Sequence, residues 1–562
     1  MGESAIWLGL YTPGMVENFD PNTIEDEVVR QVVVYLMNEL EKERAINREQ
    51  AETIQSQRDE INRLKGEQGK PKIKGNKPTQ DLSSEKHRRE SKPHQKRSKQ
   101  AHIKIDRREI AKVDRKQLPS DAVFKGHQEV VIQDIVFQTE NILFRREKYY
   151  SKSQRQTYLG ELPAGYHGQF GPGVRAWVLT LYHEGAMSEP KILEVLQTVG
   201  LKISAGQLSD LLIKDQDVFH AESADVVRAG IESSPWHHLD STGTRVNGIN
   251  QHCHVLCNPL YTFYSTTISK DRLSMLRVLL AGSDPLFHFN AQAITLMEQL
   301  GVSAKWQMRV SALLGEEQVF TEEQIEHMLT SQLPNMGPTV RKNVKDALAI
   351  AAYRSQTAYP VVALLLCDDA PQFNALTVEL ALCWIHEFRH YKKLLPRFTH
   401  HLTLLQEFGT TFWKLYQDLL DYRDHPNPDQ VGVLQTSFDQ LFGTPSGYQQ
   451  LDECKERTFK KREQLLMVLS HPEILLHNNP AELGARTRVR KRDVSLQART
   501  LEGIGAWDTF QTLVATVNKL GLNLFHYFFD RITHASALPS LASLIQERAA
   551  SLALGISWQQ GS

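Results

Sequence analysis

The sequence is poor in cysteine, in long apolar runs and in the short words that mark nucleotide-driven or hydrolase chemistry. Five cysteines in 562 residues, Cys253, Cys257, Cys367, Cys383 and Cys454, form an odd, scattered set without a CxxC pair. This excludes a disulfide-built scaffold and fits a reducing compartment. No cysteine precedes Cys253, so a cysteine-based zinc module in the front half is excluded as well. Apolar runs such as 361–367 fall far short of the ~20 residues that span a bilayer, and MGESAIWLGLYTPG has no cationic stretch ahead of an apolar core. A soluble, cytoplasmic protein without a membrane partner is expected. Neither a GxxxxGK[ST] phosphate loop nor a GxSxG elbow occurs, which argues against an ATP-driven helper and a serine hydrolase.

What is present is organised unevenly. The formal net charge is −1, yet residues 65–116 hold 18 Lys+Arg against seven Asp+Glu, a local excess of +11 that leaves −12 for the rest. Such a Gly/Pro/Ser/Gln-rich stretch buries too little apolar surface to fold alone; it serves either as a solvated linker over 65–118 or as an arm that neutralises phosphates. Ahead of it, Val33, Leu36, Leu40, Asn47, Ile54, Ile61 and Leu64 fall on heptad positions, predicting a helix over 25–64 that either pairs in a coiled coil or packs on its own chain. Residues 119–170 contain β-branched and aromatic runs (EVVIQDIVFQ, NILFRREKYYS, QRQTYLG) that predict a small β region. The segment 171–230 reads as short helices, and Ser204 as a cap opening a second helix is compatible with a helix-turn-helix or with a plain helical connector.

From Trp236 the pattern becomes α/β. HHLDSTGTRV, QHCHVLC and YTFYSTTI read as strands with turns at Asn247-Gly248 and Asn258-Pro259. Residues 283–356 read as a wholly helical insertion, YPVVALLLCDD as a strand buried on both faces, and everything after Ala375 as helix, with a second insertion over 392–470 and a helical tail over 536–562. Asp240 lies within the first strand, with Thr242 and Thr244 on its face, and Asp368 ends the buried one. Carboxylates at such places either cap loops or are paired, hydrogen-bonded or bound to a cation. A third from a later helix would complete an oxygen cage of the kind hard divalent ions require. His252 and Cys253 alternate along one strand, so the HCHxxC word cannot close around one zinc ion.

HLDSTGTRV, CDDAPQFN, CWIHEFRHY and NNPAELGAR occur in that order, and together they resemble the transposases of the insertion sequence 66 family. The resemblance runs from about residue 33 to 532. Asp240 matches the family's first acid, Asp368 the second by its spacing to Phe373-Asn374, and Glu482 the last after Asn478-Asn479; Cys383, Trp384, His386, Arg389 and Tyr391 match the third word. Ser241 stands where the family has Glu, Asp369-Ala370 where it has Gly-Tyr, His477 where it has Asp, and Leu483-Gly484 where it has Arg-Ala. The resemblance implies a ribonuclease-H-like catalytic domain over 231–535, with Asp240, Asp368 and Glu482 as catalytic residues holding two Mg²⁺ ions, for which Mn²⁺ substitutes. It implies a prokaryotic, nucleoid-associated DDE-type enzyme that cuts transposon ends, joins them to target DNA and self-associates on DNA. Arg389, Arg486, Arg488, Arg490, Lys491 and Arg492 are expected to face DNA phosphates, the alternative for Arg486 being an i,i+4 pair with Glu482. A catalytically inactive or domesticated DNA-binding descendant and a metal-dependent nuclease are the competing readings.

Overall fold

The computed structural model describes residues 17–65, 104–114, 118–119, 122–135, 138–315 and 318–559. Most of the basic arm lies outside the described residues. The heptad-bearing segment forms one helix, Glu27–Leu64. It packs on its own chain, one of the two sequence readings. Met37 and Glu41 are buried, Glu41 accepting from the Arg397 and Phe398 backbone N–H groups, and Asn38 donates to Gly447. Leu36, Leu40, Ile54, Ile61 and Leu64 stay exposed. Among the described residues of the expected β region a hairpin forms, Lys148–Ser151 against Gln156–Leu159, and residues 122–135 take no regular structure despite their β-branched content. Three helices follow, Pro172–His183, Glu189–Thr198 and Ala205–Ile213, the last opened by Ser204 and Gln207 in a reciprocal capping box.

The core is a mixed five-stranded sheet. Its strands are β1 (Trp236–Val246), β2 (Ile249–Cys257), β3 (Thr262–Thr267), β4 (Leu364–Cys367) and β5 (Glu379–Leu382), in the order β3-β2-β1-β4-β5. β1, β2 and β3 are antiparallel neighbours; β4 and β5 run parallel to β1. Asn247 and Gly248 turn β1 into β2 with φ of +47° and +78°, the paired left-handed conformation of a tight hairpin turn. β4 is LLLC, wholly buried, as expected for a strand covered on both faces.

Two expectations need correction. The chain after Ala375 is not all helix, because ELAL at 379–382 forms β5 beside β4. The first insertion is not wholly helical either: Phe287–Phe289 pairs with Gln318–Phe320 as a small ribbon among its helices. The second insertion is helical, built from Thr399–Asp424, Pro428–Gly443, Gln449–Phe459 and Arg462–Leu465. Among the described residues no helix is long and apolar enough to cross a membrane.

Candidate metal centre

Strand register places the first two acids. In the parallel pair, His238 lies opposite Leu366, so two residues further on Asp240 and Asp368 stand level and on one face of the sheet. The third acid arrives from above. Glu482 is in the first turn of the Asn479–Ser495 helix, which packs on that same face through Ala485 against Val255, Tyr264 and Cys253. Val255 is the cross-strand neighbour of Asp240, and Tyr264 that of Val255. The close approach depends on Gly484: a Cβ there would lie 2.6 Å from Val255 Cγ1, and the Gly484 carbonyl accepts from the Tyr264 hydroxyl at 3.0 Å.

Asn478 fixes the entrance of this helix. Its side chain donates to the Leu239 carbonyl (2.8 Å) and bonds His238 Nδ1 (3.0 Å), while its backbone N–H donates to Cys383 Sγ (3.3 Å). Three of the sequence words thereby meet at one buried amide. His238 and His237 have structural roles: His237 Nε2 lies 3.2 Å from the Gly230 carbonyl, and burial holds the two rings down to about 3 and about 4 respectively.

The electrostatics identify the acids as a group. Asp240 is pushed up from 3.8 to about 7, chiefly by burial and further by the charges of Asp368 and Glu482; the Ser241 N–H (2.8 Å) and Arg389 act in the opposite direction. Glu482 is held by Arg389 (3.4 Å), His386 Nδ1 (3.5 Å) and Arg486 (3.9 Å). Arg389 also lies 2.6 Å from His386 Nε2; an arginine can only donate, so Nε2 accepts. Asp369 points elsewhere. His390 (3.1 Å) and Lys461 (2.8 Å) hold its carboxyl far below the usual range, and Lys461 also binds Glu387 (2.9 Å).

Carboxylates such as Asp240, Asp368 and Glu482 are the ligand type a hard divalent cation such as Mg²⁺ requires, and burial together with the charges of the other two raises the Asp240 carboxyl. Two mixed sets lie nearby, each with ligand atoms within 4.8 Å of one another: Cys383, His386, Glu482, and Asp369, Glu387, His390. The Lys461 ammonium already neutralises the second.

The expected phosphate-facing cluster divides. Arg490 is exposed, Arg486 leans on Glu482, and Arg492 donates to the Gly243 carbonyl beside β1 (2.6 Å). Arg488 and Lys491 cannot face DNA. Arg488 is fully buried, ion-paired with Asp508, which also binds Thr266. Lys491 donates to the Tyr182 carbonyl (2.9 Å) and lies against the Tyr182 and Trp507 rings, and burial pushes its amine down to about 6. The physical reason is periodicity: residues 488 and 491 are three apart, one helical step, and take the face that packs on the Leu501–Lys519 and Pro172–His183 helices. His252 and Cys253 also separate as expected. On the face opposite Asp240, His254 bonds Ser241 Oγ and Thr267 Oγ1, each at 2.7 Å, whereas Cys253 sits under the Glu482 helix.

No protein-family model matches the chain, and no solved structure matches it. Uncharacterized protein y4jO of Sinorhizobium fredii (strain NBRC 101917 / NGR234) is 28% identical over 329 residues, which is 58% of this chain and the whole of that protein.

Sequence reasoning missed the supporting residues. His386, Asn478, His390 and Lys461 each make a contact to a carboxylate or a strand that only the folded chain reveals. The signal available for the first three was their place inside the quoted words; Lys461 carried none.

Proposed function

We propose that the chain is a divalent-metal-dependent phosphoryl transferase acting on DNA, a transposase that cleaves transposon ends and joins them to target DNA. The observation that carries this reading is that Asp368 and Glu482, from separate parts of the chain, are near enough to Asp240 for their charges to add to burial in raising its carboxyl to about 7. The order β3-β2-β1-β4-β5, three antiparallel strands followed by two parallel ones, supports a ribonuclease-H-like reading of the sheet. So does the position of the acids, on the first strand, after the fourth and on a late helix.

Asp240, Asp368 and Glu482 would hold Mg²⁺ or Mn²⁺. When bound, such ions activate an oxygen nucleophile and stabilise the leaving oxygen. The chain's own residues supply position and charge: Arg389 and His386 orient Glu482, and Arg486 and exposed Arg490 lie one and two turns beyond Glu482 on its helix, where they are available to backbone phosphates. The basic arm would add non-specific affinity, and the exposed heptad stripe of the Glu27–Leu64 helix would pair two copies on DNA.

The test is incubation of purified protein with DNA carrying candidate ends and a target duplex, with Mg²⁺ or with chelator. Joined products that require the ion and vanish in Asp240→Asn support the reading. Ion-dependent cuts without joining would make the protein a nuclease. DNA binding with neither product would leave the inactive descendant.

A further inference from the structure

The first insertion reaches the loop that leaves β4 with Asp368 at its start. Asp368 Oδ1 accepts from Ala370 N–H (3.1 Å), and the chain then makes a short 3₁₀ turn, Pro371–Phe373, passes Ala375 at φ +66° and enters β5. A non-glycine residue in that conformation is held there by its surroundings. Two guanidinium groups do the holding. Arg272, at the start of the Arg272–Leu279 helix, donates to the carbonyls of Pro371 (3.0 Å) and Asn374 (3.2 Å). Arg354, near the end of the insertion's Pro338–Ser355 helix, donates to the carbonyls of Ala375 (2.6 Å) and Thr377.

Arg272 is itself fixed by Asp346 of the same helix at 3.1 Å, and Asp346 is fully buried. Guanidinium is suited to this task because its planar fork reaches two or three acceptors at fixed angles, which an ammonium cannot. On the other side of the loop, His390 and Lys461 grip Asp369. The Asp368 loop is thus gripped from both directions, and the insertion supplies one of the two grips, directly through Arg354 and by way of Asp346 through Arg272, which precedes it.

We propose that Arg272 and Arg354 are positioning residues, through which the first insertion fixes the Asp368 loop and so sets the divalent-ion affinity of the centre. This rests on the metal reading given above. Groups that orient a metal ligand characteristically change affinity by about 10–100-fold when altered.

The test is Mn²⁺ binding to the full chain, followed by the loss of the free-ion electron paramagnetic resonance signal, together with thermal unfolding of each variant. Arg272→Lys and Arg354→Lys keep the charge and lose the fork; each is expected to weaken Mn²⁺ binding by about tenfold. Arg277→Lys is the control, since Arg277 binds Asp284 and Glu322 inside the insertion, each at 2.8 Å, without touching the loop. It should lower the melting temperature comparably and leave Mn²⁺ affinity unchanged. If wild type binds Mn²⁺ and both loop variants bind it equally well, or if Arg277→Lys weakens binding as much as they do, the positioning role is wrong and the metal reading stands. If wild type fails to bind Mn²⁺, the metal reading falls and the positioning role with it.

Discussion

Replacing Asp240 by Asn removes one negative charge and almost no volume, and the raised carboxyl predicts its effect on stability. A shift from 3.8 to about 7 amounts to roughly 4 kcal/mol between the ionised and protonated forms, as an upper figure. Because the folded pKa lies above the unfolded one, the native state binds the extra proton. Stability is therefore fully present below about pH 4 and is lost as pH rises through about 7. In chelator, wild type should melt progressively lower from pH 5 to pH 8, while Asp240→Asn, whose amide can still accept from the Ser241 N–H, should lack that component. The variant should be the more stable protein at pH 8, and its advantage should shrink toward pH 5. Mg²⁺ at pH 8 should raise the wild-type melting temperature, since it binds only the folded form, and raise the variant's far less. Scanning fluorimetry across that pH series, with and without Mg²⁺, reads all of this. A variant less stable than wild type at every pH in chelator would show that the folded chain already compensates the Asp240 charge.

Asp368→Asn should abolish ion-dependent cleavage with DNA binding kept, whereas Asp369→Asn should keep Mn²⁺ binding and lower the melting temperature, because its carboxylate serves His390 and Lys461; the reverse ranking in cleavage assays would shift the second acid by one residue. Arg490→Ala should weaken DNA binding in filter or fluorescence titrations without changing stability, while Arg488→Ala should cost about 3–5 kcal/mol by leaving Asp508 buried and unpaired. Deleting 65–116 should reduce affinity for all DNA sequences about equally and flatten its salt dependence; a selective loss of end recognition would mean that the arm reads sequence. Replacing Leu40 and Ile54 with Asp should abolish self-association in sedimentation, and leave the melting temperature nearly unchanged because both side chains are exposed in the single chain.

The elements legible in the sequence are those whose signal is local. β1 to β3 declare themselves by alternation and by Asn247-Gly248, and the Ser204 cap by its own hydroxyl and Gln207. β5 did not: four residues, ELAL, run into the CWIHEFRHY helix and carry no period of their own. FHF and QVF, three residues each, are strands only because they find one another across 28 residues of chain. In the candidate site, the sequence pattern placed Asp240 on the first strand and Asp368 after the buried one, where the structure has them. The sorting of the basic cluster was not legible, since five cations within seven residues give a count, and whether Arg488 meets Asp508 or solvent depends on a helix that begins at Leu501. Lys461 lies outside every motif and reaches Asp369 only because the second insertion returns to the sheet.

The missing side chain at position 484 has a consequence for how this centre could be altered. Glu482 sits two residues before it, and the helix carrying Glu482 rests on β2 at the point where only a hydrogen fits above Val255. Position 484 therefore acts as a shim of zero thickness. Each added carbon would lift the helix off the strand and widen the gap between the third acid and the first two, without changing a charge, a ligand or a hydrogen-bonding group. The spacing of the acids, and with it the size of ion that fits among them, is adjustable from a residue that would never itself touch the ion.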